Sequence, residues 1–255
     1  MNKINKINVL GLNLEVQTWS GNANQSPIVL LHEGLGCIAM WRDFPRLLAK
    51  KTNRRVVLYS RPGYGFSEAY SNAKNTHYLH NEAQKILPFF LEKMGIENPI
   101  LFGHSDGGTI ALIYAFSFPQ KLNGLIVLAP HEFHEPQLTQ SLQNAVYQFE
   151  HSRWAHKLGK YHADPVRVFK EWSGVWLSKE HENWNIVADL KKITAPTLAI
   201  QGVEDEYASL DQVKVISEEV PQTRLVILDS CRHSPQFDAR DRVLGAVCSF
   251  VENLP

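Results

Sequence analysis

The order of short apolar runs and longer helical stretches predicts an α/β fold, a mostly parallel eight-stranded sheet flanked by helices. Three observations point to it. Apolar, β-branched runs of strand length alternate with segments of helical period. One of these runs turns into a helix through Gly103-His104-Ser105-Asp106-Gly107. The alternation then breaks once, between Pro130 and Pro196, without leaving a linker or a low-complexity tract.

Residues 7–9 and 14–19, split by Gly11, read as a hairpin. Runs at 28–32, 56–60, 100–103, 125–129, 198–202 and 225–228 read as the remaining strands. Helices are expected at 41–50, 79–94, 108–118, 210–220 and 240–253. Strand, helix, strand in this order implies crossover connections, hence parallel pairing with both faces of the sheet covered. No strand is expected from 131 to 195, a stretch that holds four of the six tryptophans and six of the eleven histidines. A structureless loop of that length would be implausible in a compact domain. It reads as a helical cap, residues 131–195, inserted after the sixth strand into a core built from 1–130 and 196–255.

A chain of 255 residues suits one domain with room for one such insertion. Twenty-six basic side chains balance 26 acidic ones, which argues against a nucleic-acid partner. The one basic run, Lys50 to Arg55, precedes a strand and is expected as a solvated surface at the amino edge of the sheet. Cys37, Cys231 and Cys248 are odd in number and lack metal-ligand spacing, so they read as reduced thiols of a cytoplasmic protein. The first residues lack the apolar core of a signal peptide, and no apolar run approaches a membrane span. Neither a membrane nor a metal is expected, and no feature speaks to oligomeric state.

Gly-x-Ser-x-Gly between a strand and a helix is the signature of a nucleophile held on a tight corner. A Cβ at either glycine would collide with the strand or helix beside it. The corner presents Ser105 at the carboxyl end of a strand, with a helix N-terminus aimed at it. Serine needs an adjacent base, and the base needs an orienting carboxylate. Asp205 follows the run at 198–202, and His233 follows the run at 225–228. Glu132, just after the sixth strand, is the rival acid.

With Ser105, Asp205 and His233 in that order, the chain resembles the α/β-hydrolase superfamily over nearly its full length. Leu30-Leu31-His32-Glu33-Gly34-Leu35-Gly36 is similar to the family's oxyanion loop after the third strand. Ser60-Arg61-Pro62-Gly63-Tyr64-Gly65-Phe66-Ser67 resembles its Arg-Gly-x-Gly-x-Ser turn after the fourth. The resemblance implies oxyanion donors at the backbone N–H groups of Gly34 and Asp106. It departs at Glu33, where the family prefers glycine, and at Arg232, where a glycine often precedes the histidine.

The implied activity is acyl transfer to water on a small carboxylic ester or thioester, with no cofactor. Carbon–carbon bond hydrolysis of a ring-cleavage product and non-catalytic binding of a small ligand are the alternatives. Ser105 itself argues against the dehalogenases and epoxide hydrolases of this fold, which carry aspartate at the corner. Glu33, Leu35, His131, Trp154 and Tyr207 are the candidate substrate contacts, with Phe66 a weaker one. His32 and His104 read as structural, His32 as an anchor of the oxyanion loop. Asp106 puts a carboxylate beside the oxyanion site, which would hinder catalysis unless it points away or pairs with a cation.

Overall fold

The computed structural model of the protein describes residues 3–254. The strands are β1 (Asn5–Val9), β2 (Leu12–Trp19), β3 (Ile28–Leu31), β4 (Val56–Tyr59), β5 (Ile100–His104), β6 (Gly124–Leu128), β7 (Thr197–Gly202) and β8 (Thr223–Leu228). They form one sheet in the order β1-β2-β4-β3-β5-β6-β7-β8. The β1–β2 and β2–β4 pairs are antiparallel, and every other pair is parallel. The carboxyl ends of β3 to β8 therefore open on one edge, where ligand crevices of open α/β sheets form.

Alternation within the central strands supplies two cores. Val29, Leu31, Leu101, Val127 and Ala199 face one side, with α4 (Asp106–Ser117) and α9 (Asp211–Glu219) packed over them. Ile28, Leu30, Ile100, Phe102, Ile126 and Ile200 face the other, covered by α1 (Phe44–Thr52) and α11 (Arg240–Glu252). These strands are continuous apolar runs because both of their faces are buried.

Two expectations are corrected. The stretch read as one helix over 79–94 is α2 (Tyr78–Asn81), a π turn (Glu82–Ile86) and α3 (Leu87–Lys93). Pro88 lacks an N–H for the carbonyl of Gln84, and its ring would clash there, so the helix widens just ahead of it. The basic run is also not wholly solvated. Arg54 is buried and donates to the carbonyls of Ser26 and Val251, tying the amino edge of the sheet to α11.

Between β6 and β7 lie α5 (Pro136–His151), α6 (Trp154–Leu158), α7 (Pro165–Trp176) and α8 (Val187–Leu190). An isolated bridge from Phe133 to Asn185 clips the two ends of this insertion together. The short α10 (Pro235–Asp238) precedes α11. Among the described residues no helix is long and apolar enough to cross a membrane.

The corner after β5 is crowded enough to require its glycines. A Cβ on Gly103 would lie 2.0 Å from the carbonyl oxygen of Gly107, and one on Gly107 would lie 2.0 Å from that of Leu31. Gly107→Ala should therefore destabilise the fold by about 2–3 kcal/mol, the range of an overpacked core. Gly174, exposed in α7, has no atom within 4 Å of an added Cβ. Gly174→Ala should stabilise by about 0.5–1 kcal/mol through helix propensity. Urea melts of the two variants should move in opposite directions.

Candidate active site

Ser105 sits between β5 and α4 with φ +52° and ψ −121°, a combination costly for any residue with a Cβ. The strain is held by the Ser105 N–H donating to the carbonyl of Leu128, and by the Ser105 carbonyl accepting from Thr109 at the first turn of α4. The side chain leaves the corner toward His233, whose Nε2 lies 3.0 Å from Ser105 Oγ. On the other side of the ring, His233 Nδ1 lies 2.8 Å from Asp205 Oδ1 and 2.9 Å from Oδ2. With Nδ1 donating to a carboxylate, Nε2 is left as the acceptor for the serine hydroxyl.

The electrostatics follow from burial and pairing. Burial would lower the pKa of His233, but the Asp205 carboxylate and its hydrogen bond, helped by Glu206 and Glu33, outweigh it and raise the imidazole above its ordinary value. Burial would raise Asp205, but the charge and hydrogen bond of His233 and the donated N–H of Tyr207 hold it below the usual carboxylate range. The Asp205 loop is also clamped from the insertion. Gln137 donates to the Asp205 carbonyl, and Ser141 donates to that of Glu206. Glu132, the rival acid, is fully buried, with neither carboxyl oxygen hydrogen-bonded among the described residues. Burial, with Glu135 nearby, pushes its pKa well up. The structure brings Asp205 to His233, and not Glu132.

Two backbone N–H groups, those of Gly34 and Asp106, border the same cavity as Ser105 and make no hydrogen bond within the protein among the described residues. The Glu33–Gly34 peptide is fixed from behind. The Glu33 carbonyl accepts from His32 Nδ1 at 2.8 Å and from Arg61 Nη2 at 2.8 Å. Because a trans peptide points its N–H opposite its C=O, both donors aim the Gly34 N–H away from them. The Arg61 N–H in turn donates to His32 Nε2 at 3.0 Å, which leaves the His32 proton on Nδ1. Burial and the Arg61 charge keep His32 neutral by lowering its pKa well below the ordinary value.

Asp106 turns its carboxylate away from the cavity. Its Oδ2 accepts from the Tyr78 hydroxyl at 2.6 Å and lies 3.5 Å from Arg61 Nη2, with both charged side chains buried. Trp176 Nε1 donates to the same tyrosine oxygen at 2.9 Å. A carboxylate beside the two free amides is thus neutralised by a cation, which answers the objection raised by its position in the sequence.

The cavity at Ser105 is about 100 Å³. Of the expected contacts, Glu33, Leu35, His131 and Tyr207 line it. Trp154 does not: it packs edge-on against Phe149 and Phe169 in the core of the insertion, where burial in an aromatic cluster holds it away from the serine. Phe66 is half-exposed elsewhere. The aromatic contacts are instead Trp172 and Trp176, joined by Leu138. Their spacing of four residues puts both indoles on one face of α7, a signal readable in the sequence. Trp172 presses on the loop after β3 so closely that a Cβ on Gly34 would lie 2.1 Å from its Nε1. His131 lies beside His233, and burial with that neighbour pushes its pKa down to about 3, so its ring is neutral. Glu33 is held ionised, because the hydrogen bond and charge of His104 and the Arg61 cation outweigh its burial. His104 donates through Nε2 to the His233 carbonyl at 2.7 Å, and its Nδ1 lies 3.0 Å from the Gln236 side-chain amide and 3.5 Å from Glu33 Oε2, a structural role.

Comparison with known proteins places the chain. A 2-hydroxy-6-oxononadienedioate/2-hydroxy-6-oxononatrienedioate hydrolase of Comamonas testosteroni is 22% identical, over 89% of this chain and 87% of that protein. A proline iminopeptidase of Saccharolobus solfataricus is 23% identical, over 96% of this chain and 91% of that one. The crystal structure of an enol-lactonase from Burkholderia xenovorans shares the fold with a TM-score of 0.77 at 18% identity, covering 98% of this chain and all of that one. The family model for the alpha/beta hydrolase fold matches residues 26–167, from β3 through the Ser105 corner and into α7. With that match and its sheet order, this chain belongs to the α/β-hydrolase fold family.

Proposed function

We propose that the protein is a serine hydrolase that cleaves a small carboxylic ester through an acyl-enzyme. Ser105 is the nucleophile, His233 the base, and Asp205 the acid that orients it. The observation that carries this reading is the unbroken chain Ser105–His233–Asp205, at 3.0 and 2.8 Å, ending in a cavity bordered by two free amides. Ser105 Oγ attacks the ester carbonyl as its proton passes to His233 Nε2. The Gly34 and Asp106 N–H groups receive the negative oxygen, and each such donor supplies roughly 3–4 kcal/mol of transition-state stabilisation. Collapse breaks the carbon–oxygen bond, and His233 protonates the leaving alcohol. Water, deprotonated by the same ring, then releases the acid and restores Ser105.

The insertion serves as a cap, residues 131–195, over a core of 1–130 and 196–255. Leu138, Trp172 and Trp176 form its apolar ceiling over Ser105, with Leu35 and Tyr207 closing the sides. A cavity of about 100 Å³ is well below the roughly 300–1,000 Å³ of sites for larger ligands, which favours a short acyl group. Hydrolysis of a carbon–carbon bond is the second reading, favoured by the likeness to a dienedioate hydrolase. Against it, a dianion would find no lysine or arginine on the lining and would meet the ionised Glu33. A thioester of a short acid fits the same cavity. Three free cysteines, two of them buried, support a cytoplasmic setting.

A fluorophosphonate probe should label the native protein at Ser105, and Ser105→Ala should abolish both labelling and turnover of p-nitrophenyl acetate without unfolding. An unlabelled native protein would instead mark a binding module. Acetate and butyrate esters should exceed the decanoate ester and a dienedioate in kcat/KM.

The acid limb of kcat/KM should have its midpoint above pH 6.5, because His233 must lose its proton to act and its pKa is raised. In Asp205→Asn the main carboxylate that opposes burial is gone, so that midpoint should fall from its native position while the rate drops by about 10³–10⁴-fold.

Arg61→Lys keeps a cation beside Asp106 but loses the fork that also reaches Glu33. It should lower kcat by about ten- to a hundredfold with little change in KM, the mark of misplaced oxyanion donors. Steady-state kinetics beside a thermal melt of the variant test this.

A further inference from the structure

A second cavity of about 390 Å³ lies on the far side of the Arg61–Asp106–Tyr78 cluster and shares no lining residue with the one at Ser105. Its roof comes from residues 60–77, a connection between β4 and α2 without helix or strand. Connections of that length without secondary structure are uncommon in compact domains and usually functional. This one is pinned to α7. Arg167 donates to the carbonyls of Tyr70 and Asn72, and Lys74 pairs with Glu171 at 3.1 Å.

The lining combines aromatic rings with positive charge. Tyr64, Tyr70 and Tyr78 contribute the rings, and Arg61, Lys74 and Lys85 the cations. Arg61 spends its backbone N–H, Nε and Nη2 on His32, Glu33 and Asp106, and its Nη1 makes no hydrogen bond among the described residues. The Tyr64 hydroxyl is buried and has no hydrogen-bond partner among the described residues, although its ring packs under Arg61 and Lys74. The acidic group on the lining, Glu82, accepts from Tyr59, and burial raises its pKa. Arg61 and Lys74 are already paired with Asp106 and Glu171, which leaves Lys85 as the lining cation without an ion-pair partner among the described residues.

We propose that this cavity is a second ligand site that takes a small aromatic carboxylate. Its ring packs against the exposed ring of Tyr70, and its carboxylate accepts from Arg61 Nη1 and from Lys85. The volume falls within the usual range for small-molecule sites, unlike that of the serine cavity. Because Arg61 also holds the Glu33–Gly34 peptide and Asp106, a carboxylate that draws on it loosens both proposed oxyanion donors.

Isothermal titration of the full chain with benzoate, beside benzyl alcohol as the uncharged counterpart, tests the site by binding rather than by turnover. Benzoate should saturate below about 10 mM. Lys85→Glu, at an exposed position that leaves the fold intact, should weaken binding about tenfold, as expected for one lost charge-assisted contact. Leu138→Ala and Tyr207→Phe, in the serine cavity, should leave it unchanged. Absence of saturation, equal binding of benzyl alcohol, or weakening by the serine-cavity variants alone would overturn the proposal. If p-nitrophenyl acetate is turned over, benzoate should lower kcat. A pure rise in KM would place benzoate at Ser105 and also overturn the proposal.

Discussion

One buried guanidinium joins the three loops on which the candidate site is built. Arg61 rises from the end of β4, reaches the peptide after β3 through the Glu33 carbonyl, and pairs with Asp106 at the start of α4. Burying a lone cation would cost several kcal/mol, so Arg61 is tolerable only because its partners surround it. Those partners are equally bound by it. Without Arg61, the Asp106 carboxylate would be an uncompensated charge next to the two free amides of the proposed oxyanion site. The pair is thus less a source of stability than a constraint on geometry: it sets where two N–H groups point by holding atoms on their far sides.

The insertion completes the arrangement from above. Its helix α5 reaches down to the Asp205 loop through Gln137 and Ser141, and α7 brings Trp172 and Trp176 against Gly34 and Tyr78. The Asp205 loop, the Gly34 loop and the Asp106 cluster each touch the insertion at a different point. The proposed cap is therefore part of the machinery that positions the site, and not only a cover that excludes water.

Much of this was legible in the sequence, for identifiable reasons. The eight strands could be read because buried parallel strands are continuous apolar runs, and the Ser105 corner because two glycines there admit no Cβ. The neutralisation of Asp106 was legible only as a need, since its partners Arg61 and Tyr78 come from distant elements and no local pattern joins them. Trp154 was misplaced among substrate contacts because aromatic residues in an insertion have no period that separates its own core from the face that lines the cavity. Trp172 and Trp176 differ from it in sharing one helical face. The π turn before Pro88 was missed because apolar periodicity continues through it, while the proline acts on the carbonyl four residues earlier.

The contact between Gly34 and Trp172 carries a consequence for how such a chain drifts. Position 34 tolerates no side chain while an indole occupies the space where its Cβ would stand. Any lineage that acquires alanine at 34 must first lose the tryptophan at 172, and one that shortens 172 frees 34 to vary. The two positions, 138 residues apart in the sequence, thus constrain each other through one contact. Remodelling the ceiling for a bulkier substrate therefore also relaxes the constraint on the floor.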